Sequence, residues 1–297
     1  MTALLSEPPE VTAPRPVPKP RKTKAQLLNW IAVHSIALVM GVIFTVPLLF
    51  VLLTSVMSDQ QALTANMWPT EWHFENFVSV FEKAPMLTYF GNSLLYSGVA
   101  TLGMLVSSIP AAYAMARFRF RGSNAAFMLL IAAMMLPPQV VAVPLYSMWA
   151  SVGLTGTLWP LIVPYLVGDA FSIFLLRQFF LTIPEDYLDA ARIDGCNEFQ
   201  ILYRVLLPMT KPGIAAASLF TFLYTWNDYF GPLLYVGERQ DSWPLSIALA
   251  SFRGMHRSTQ WNLTMAATTL VLIPVLVLFL FAQKSFVRGI TFTGVKG

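Results

Sequence analysis

The chain has 297 residues, of which 56% are hydrophobic and only 11% charged, with a mean hydropathy of +0.60. A soluble domain carries about a quarter of its residues as Asp, Glu, Lys and Arg, and a soluble core of this size could not hide so much apolar surface. Disorder, a collagen-like repeat and a disulfide framework are excluded as well, because aromatics are plentiful, glycine has no period and Cys196 is the single cysteine. The sequence specifies an all-α integral membrane protein.

Residues 1–30 form a tail with six prolines between Pro8 and Pro20 and a basic end from Lys19 to Lys24. It is expected to be disordered, its basic end holding the cytoplasmic face of the membrane. Residues 31–58 lack Asp, Glu, Lys and Arg; the run is too long for a signal-peptide core and reads as a retained first span. Charge-free stretches follow from Thr88 to Ala116 and from Gly122 to Gly168. The latter is about twice the roughly 20 residues of one span, so it folds back at Ser151–Thr157, where Gly153 and Gly156 supply a turn. The fourth span then covers Leu158 to Phe180, the fifth Pro212 to Tyr235 and the sixth Asn262 to Gln283. Six transmembrane helices result.

Basic residues orient them. Fifteen lie in the N-terminal tail, the connections after spans two and four, and the C-terminal tail (Lys284, Arg288, Lys296), whereas Lys83, Arg239, Arg253 and Arg257 lie on the other side. Both termini are therefore expected in the cytoplasm.

The connection after span four carries five of the 15 acids: Glu185, Asp186, Asp189, Asp194 and Glu198. Pro184 with acids behind it starts a helix, Asp194-Gly195 makes a turn, and Asn197 caps a second helix. The apolar face of that helix is expected to run Phe199, Leu202, Leu206, and Pro208 and Pro212 to break the chain before the membrane. Such a compact amphipathic knob suits either a solvated loop or docking to a soluble partner.

Two acids fall inside spans, Asp169 near the midplane and Asp228 in the outer half. An uncompensated charge at the bilayer centre costs at least ~2.5–3.5 kcal/mol, so such groups face a bundle interior or a wet cavity. Asp228 with Asn227 and Trp226 is a candidate lining of a translocation path; carboxylate and amide bond sugar hydroxyls, and an aromatic face packs on a sugar ring. The alternative is bonding to neighbouring helices or unwound backbone. Leu136-Pro137-Pro138 breaks span three, which makes Gln139 a further candidate. No cluster has metal-ligand spacing and no phosphate-cradling Gly-x-x-x-x-Gly-Lys-Ser/Thr loop occurs. The chain is therefore not expected to be an enzyme or to bind a cofactor; any nucleotide energy must come from a partner.

The pattern Asp189-Ala190-Ala191-Arg192-x-Asp194-Gly195, followed by Leu207-Pro208 and Pro212, resembles the "EAA" loop of permease subunits of ATP-binding-cassette importers. Asp189 replaces the usual Glu, and Cys196 the usual Ala. Further resemblance to the carbohydrate, maltose-permease-like branch lies in Asn92–Leu95, in Phe174–Phe180 and in Trp226-Asn227-Asp228. The tail from Phe286 to Gly297 also looks like that branch's ending. The resemblance implies a type I importer permease fold, with a permease domain over 90–283, a cytoplasmic loop over 181–211 and a tail over 284–297. It implies that Glu185, Asp189, Ala190, Ala191, Arg192, Asp194, Gly195, Phe199 and Pro208 couple to an ATPase, on which Arg288 to Gly297 would also pack. The implied partners are a second homologous permease subunit, two ATPase subunits that use ATP and magnesium, and an extracytoplasmic solute-binding protein facing Asp59–Leu87 and Val236–Trp261. Lipid surrounds the chain, and no nucleic acid is implied. The setting would be a bacterial inner membrane and the cargo a sugar. Polyol and glycerol-phosphate importers share these motifs, and an ion-gradient-driven transporter is the rival class.

Overall fold

The computed structural model describes residues 23–64, 66–252 and 260–292, excepting the side chains of 282 and 284–292. The chain divides into two units, Met1–Leu49 and Phe50–Gly297.

Helix α1 covers Lys24–Ser55 and crosses that division; from Leu27 to Phe50 its large apolar side chains are exposed except Leu48, as a lipid-facing helix requires. It begins seven residues earlier than expected, since a single basic residue at a helix end costs little and nothing between Lys24 and Ile31 breaks the helix. The rest of the expected tail, 1–22, lies outside the described residues. Then come α2 (Asn76–Lys83), α3 (Met86–Arg117), α4 (Ser123–Met134), α5 (Pro138–Ser151), α6 (Trp159–Leu166) and α7 (Ala170–Leu181). Two short helices, α8 (Glu185–Ile193) and α9 (Glu198–Met209), lead into α10 (Lys211–Trp226). The chain ends through α11 (Phe230–Val236), α12 (Leu245–Ser251) and α13 (Trp261–Phe292).

Among the described residues, four helical stretches are long and apolar enough to cross a membrane: Lys24–Ser55, Met86–Arg117, Trp159–Leu181 and Trp261–Phe281. Two pairs bend sharply, α4 with α5 by 95° and α9 with α10 by 82°, and counting each as one span gives six. The α4–α5 bend sits at Pro137, which donates no hydrogen bond and forces its predecessor out of the helical region. Two sequence expectations are corrected. Pro208 does not end α9, because a wider π turn over Ile201–Leu206 precedes it and loosens the ladder its ring would strain; the elbow falls at Thr210 instead. The fifth span does not run unbroken to Tyr235, since α10 stops at Trp226 and α11 starts anew at Phe230. The sixth helix also passes the expected boundary at 284 and reaches Phe292.

Within the second unit α3 is central, packed against α6, α7 and α10, with α13 on α10 and α2. Two glycines permit the closest approaches. A Cβ on Gly103 would stand 2.3 Å from Leu166 Cδ2, and one on Gly213 2.4 Å from Phe179 Cγ. Small residues let membrane helices touch where no hydrophobic effect draws them together. At one end Met104, Ala112 and Tyr113 of α3 meet Leu176 and Phe180 of α7 together with buried side chains of α8 and α9. At the other end Tyr89, Trp226, Leu245, Ala248 and Leu263 form a second core.

Candidate functional site

The α8–α9 knob is built as the sequence implied and held more firmly than it implied. Pro184 precedes α8 with Glu185 and Asp186 in its first turn. The helix closes through Gly195 N–H to Arg192 O (3.0 Å) and Cys196 N–H to Ala191 O (2.9 Å), with Gly195 at φ +83°. Asn197 and Gln200 then form a reciprocal capping box, each side-chain oxygen accepting the other's backbone N–H at 2.9 Å. Arg192 joins the two helices, bonding Asp189 (2.7 Å) and Glu198 (3.0 Å), so its guanidinium is held more firmly protonated. Glu198 in turn accepts from the Tyr113 hydroxyl of α3; that bond, with Arg192, holds its carboxyl below the usual range.

Leu188, Ala191, Ile201, Leu202 and Leu206 are the buried face of the knob. The expected apolar face is corrected at one position. Phe199 is 72% exposed and Ile201 takes its inward place, because the helix that starts at Glu198 turns Phe199 to the side opposite Ile201. Tyr187, Ile193, Phe199 and Tyr203 thus present apolar surface away from the spans.

The knob's base was invisible to sequence reasoning. Arg117 at the end of α3 donates to the carbonyls of Phe180 (2.5 Å) and Ile183 (2.6 Å), capping the C-terminus of α7 just before α8. Arg177 of α7 returns the bond to Met115 O of α3 at 3.1 Å and lies 4.1 Å from the Phe127 ring. Each guanidinium serves the negative end of the other's helix. The signal available was modest: Tyr113 and Arg117 are four apart and so share a helical face.

The intramembrane candidates separate. Asp169 is the N-cap of α7, where its Oδ2 accepts from Ser172 N–H (2.8 Å) and the Ser172 hydroxyl (2.6 Å). Asp228 stands in the break between α10 and α11, its Oδ1 accepting from Gly231 N–H (3.1 Å) and its Oδ2 from the Tyr96 hydroxyl (3.0 Å). Both line one cleft of about 270 Å³ with Tyr96, Tyr165, Tyr224 and Tyr235. Trp226 is not with them. It is 2% exposed, stacked on Phe222 at 5.4 Å and edge-on to Phe90 at 6.0 Å, within the second core and not in the cleft. Asn227 is exposed and donates to Leu223 O (2.8 Å), ending α10. Gln139 is also exposed and lies outside this cleft, although Leu136 and Pro138 beside it line a neighbouring one. The tyrosines were missed, yet a signal for them existed: both acids end the same pattern, Tyr165-x-x-x-Asp169 and Tyr224-x-x-x-Asp228.

Of the expected outer segments, residues 253–259 lie outside the described ones. In the other, Trp68, Trp72 and Phe74 are exposed and in ring contact. His73 bonds Glu75 at 2.6 Å and holds its carboxyl low.

The family described as binding-protein-dependent transport system inner membrane component matches residues 103–292. The probable ABC transporter permease protein YurM of Bacillus subtilis strain 168 is 35% identical over 254 residues, 84% of this chain and 83% of the relative. The arabinooligosaccharides transport system permease protein AraQ of Halalkalibacterium halodurans is 31% identical over 282 residues, 93% of this chain and 99% of the relative. Among solved structures, a bacterial ABC transporter involved in import of the acidic polysaccharide alginate superposes with a TM-score of 0.75. It shares 21% identity over 90% of this chain and 100% of that one, a likeness of fold.

Proposed function

Because the chain belongs to the family of binding-protein-dependent transport system inner membrane components, we propose that it is the permease subunit of an ATP-driven carbohydrate importer. It is a multi-pass inner-membrane protein with the fold of an importer permease. In this reading both termini and the α8–α9 knob are cytoplasmic. A second homologous permease subunit completes the path, two ATPase subunits use ATP and magnesium, and an extracytoplasmic binding protein delivers the sugar. The arabinooligosaccharide function named for AraQ supports the sugar.

The observation that carries the reading is the two-faced knob. One face is buried on α3 and α7, and the other offers Tyr187, Ile193, Phe199 and Tyr203 to a partner. An ATPase closing on that outer face would push α8 and α9 as one piece, because Arg192 ties them together. The push reaches α3 through Tyr113 and Glu198, and α7 through the Arg117 cap. Asp169 and Asp228 would line the path into which the sugar passes.

Gly195→Val tests the coupling. No atom lies within 4 Å of the added Cβ, so the strain comes from φ +83° alone, about 1–2 kcal/mol for a β-branched residue. The variant importer should assemble but lose most ATP-driven uptake in vesicles. Uptake and sugar-stimulated ATP hydrolysis that both survive would refute coupling through this loop. Uptake that persists without ATP would point to an ion-gradient-driven transporter.

A further inference from the structure

Three clefts in the second unit share their walls. One at the end away from the knob, about 550 Å³, is lined by Tyr146, Tyr235, Glu238 and Arg239 among others. Tyr235 also lines the cleft that holds Asp228 and Asp169. That cleft shares Tyr165, Asp169, Ala170 and Tyr224 with a third, of about 580 Å³, which adds Phe171, Phe220 and Thr221. The three make a stepped course whose shared steps are tyrosines. Tyr146 and Tyr235 stack with ring centroids 6.3 Å apart at its mouth.

We propose that this chain itself binds the cargo of the importer along this course, and that the cargo is an uncharged polyhydroxylated chain rather than a sugar phosphate or sugar acid. The inference rests on the importer reading and adds the ligand class. A tyrosine offers a flat apolar face to the C–H side of a sugar ring and a hydroxyl to its edge. The repeated Tyr-x-x-x-Asp sets a tyrosine four residues before each carboxylate, and all four side chains line the one cleft, at the two points where helices break. Each carboxylate keeps acceptor capacity beyond the donors already on it, because an ionised carboxylate has about four lone-pair sites. Sugar hydroxyls are donors that fit those sites.

Charge decides the class. Among the described residues, two carboxylates and no Lys, Arg or His line the two inner clefts; Arg239 stands at the mouth, beside Glu238. A phosphate or carboxylate entering there would meet like charge, with no cation on these walls of this chain to compensate its lost water. A neutral sugar meets no such barrier.

The single native cysteine makes a direct test simple. In a Cys196→Ser background, the assembled importer would carry Ala170→Cys, shared by both inner clefts, or Tyr224→Cys, which is 60% exposed. Cationic and anionic methanethiosulfonate reagents of similar size are then compared. The cationic reagent should label either site about tenfold faster, the low end of the focusing that a cleft lined by one sign of charge produces. Asp169→Asn with Asp228→Asn should bring the ratio near one. Neutral trisaccharides (arabinotriose, maltotriose, chitotriose) should slow labelling, and glucose 6-phosphate should not. Equal rates, absence of labelling, or protection by the phosphate but by none of the trisaccharides would each overturn the proposal. ATP-dependent uptake is measured in the same vesicles. Its absence from vesicles of the unsubstituted importer, with charge-selective labelling and sugar protection present in the cysteine variants, would refute the importer reading and leave the ligand surface standing.

Discussion

The knob and the clefts both collect acidic side chains, and they neutralise them by opposite means. At the knob the acids meet a cation: Arg192 bonds Asp189 and Glu198 in side chains that remain over a third exposed. In the clefts Asp169 and Asp228 meet only neutral donors, from Ser172, Tyr96 and the N–H of Gly231. A single exposed ion pair contributes little, but one guanidinium shared by two carboxylates is a small network that links α8 to α9. A carboxyl group that accepts from hydroxyls and a backbone N–H keeps further acceptor sites open to whatever enters. The first arrangement makes a rigid piece, and the second makes a receptive surface.

The contrast can be broken most forcefully at the knob's base. Arg117→Ala strips the guanidinium from two carbonyls, Phe180 O and Ile183 O, and should cost about 3 kcal/mol, read as a lowered thermal midpoint of the purified chain in detergent. In the cleft, Asp228→Ala leaves the Tyr96 hydroxyl and Gly231 N–H without an acceptor and should cost about 2 kcal/mol, while Asp228→Asn keeps an acceptor and should cost less than half of that. If the two variants are equally destabilised, charge rather than hydrogen bonding holds that break. Asn197→Ala removes half of the capping box and should cost about 1 kcal/mol, with faster amide exchange confined to α8 and α9. Smallest is the effect of pH at Glu198. Its carboxyl is held below the ordinary value of 4.5 by Tyr113 and then Arg192, so its contribution is complete above that pH and is lost as pH falls through the lowered value. A pH titration of the thermal midpoint should show that step in the native chain and not in Glu198→Gln.

Much of this was legible in the chain. Composition and the spacing of charge found the spans, and Pro184, Asp194-Gly195 and Asn197 announced every turn of the knob, because capping and turn chemistry are local. The break after Trp226 was not legible: Trp226-Asn227-Asp228-Tyr229 contains neither proline nor glycine, and the helix stops because Asn227 and Asp228 satisfy backbone groups on either side of the gap. Pro208 misled for the complementary reason, since the π turn that accommodates it leaves no mark in composition. Trp226 was drawn into the path by its neighbours in sequence, yet on a helix adjacent residues face apart. Arg117 and its carbonyls are more than sixty residues apart, a pairing that only the packed bundle creates.

The arginines at the end of α3 and within α7 have a consequence for how the chain enters its membrane. The insertion machinery counts positive charges near span ends and is indifferent to what they bond, whereas the folded bundle uses the same guanidiniums as donors to each other's helix ends. One pair of side chains thus serves first as an address during synthesis and later as a clasp. Lysine could keep the address, but its flexible, strongly hydrated ammonium lacks the planar group that holds Nη2 of Arg117 between two carbonyls, so a chain with Lys at 117 would insert the right way round and then close less tightly.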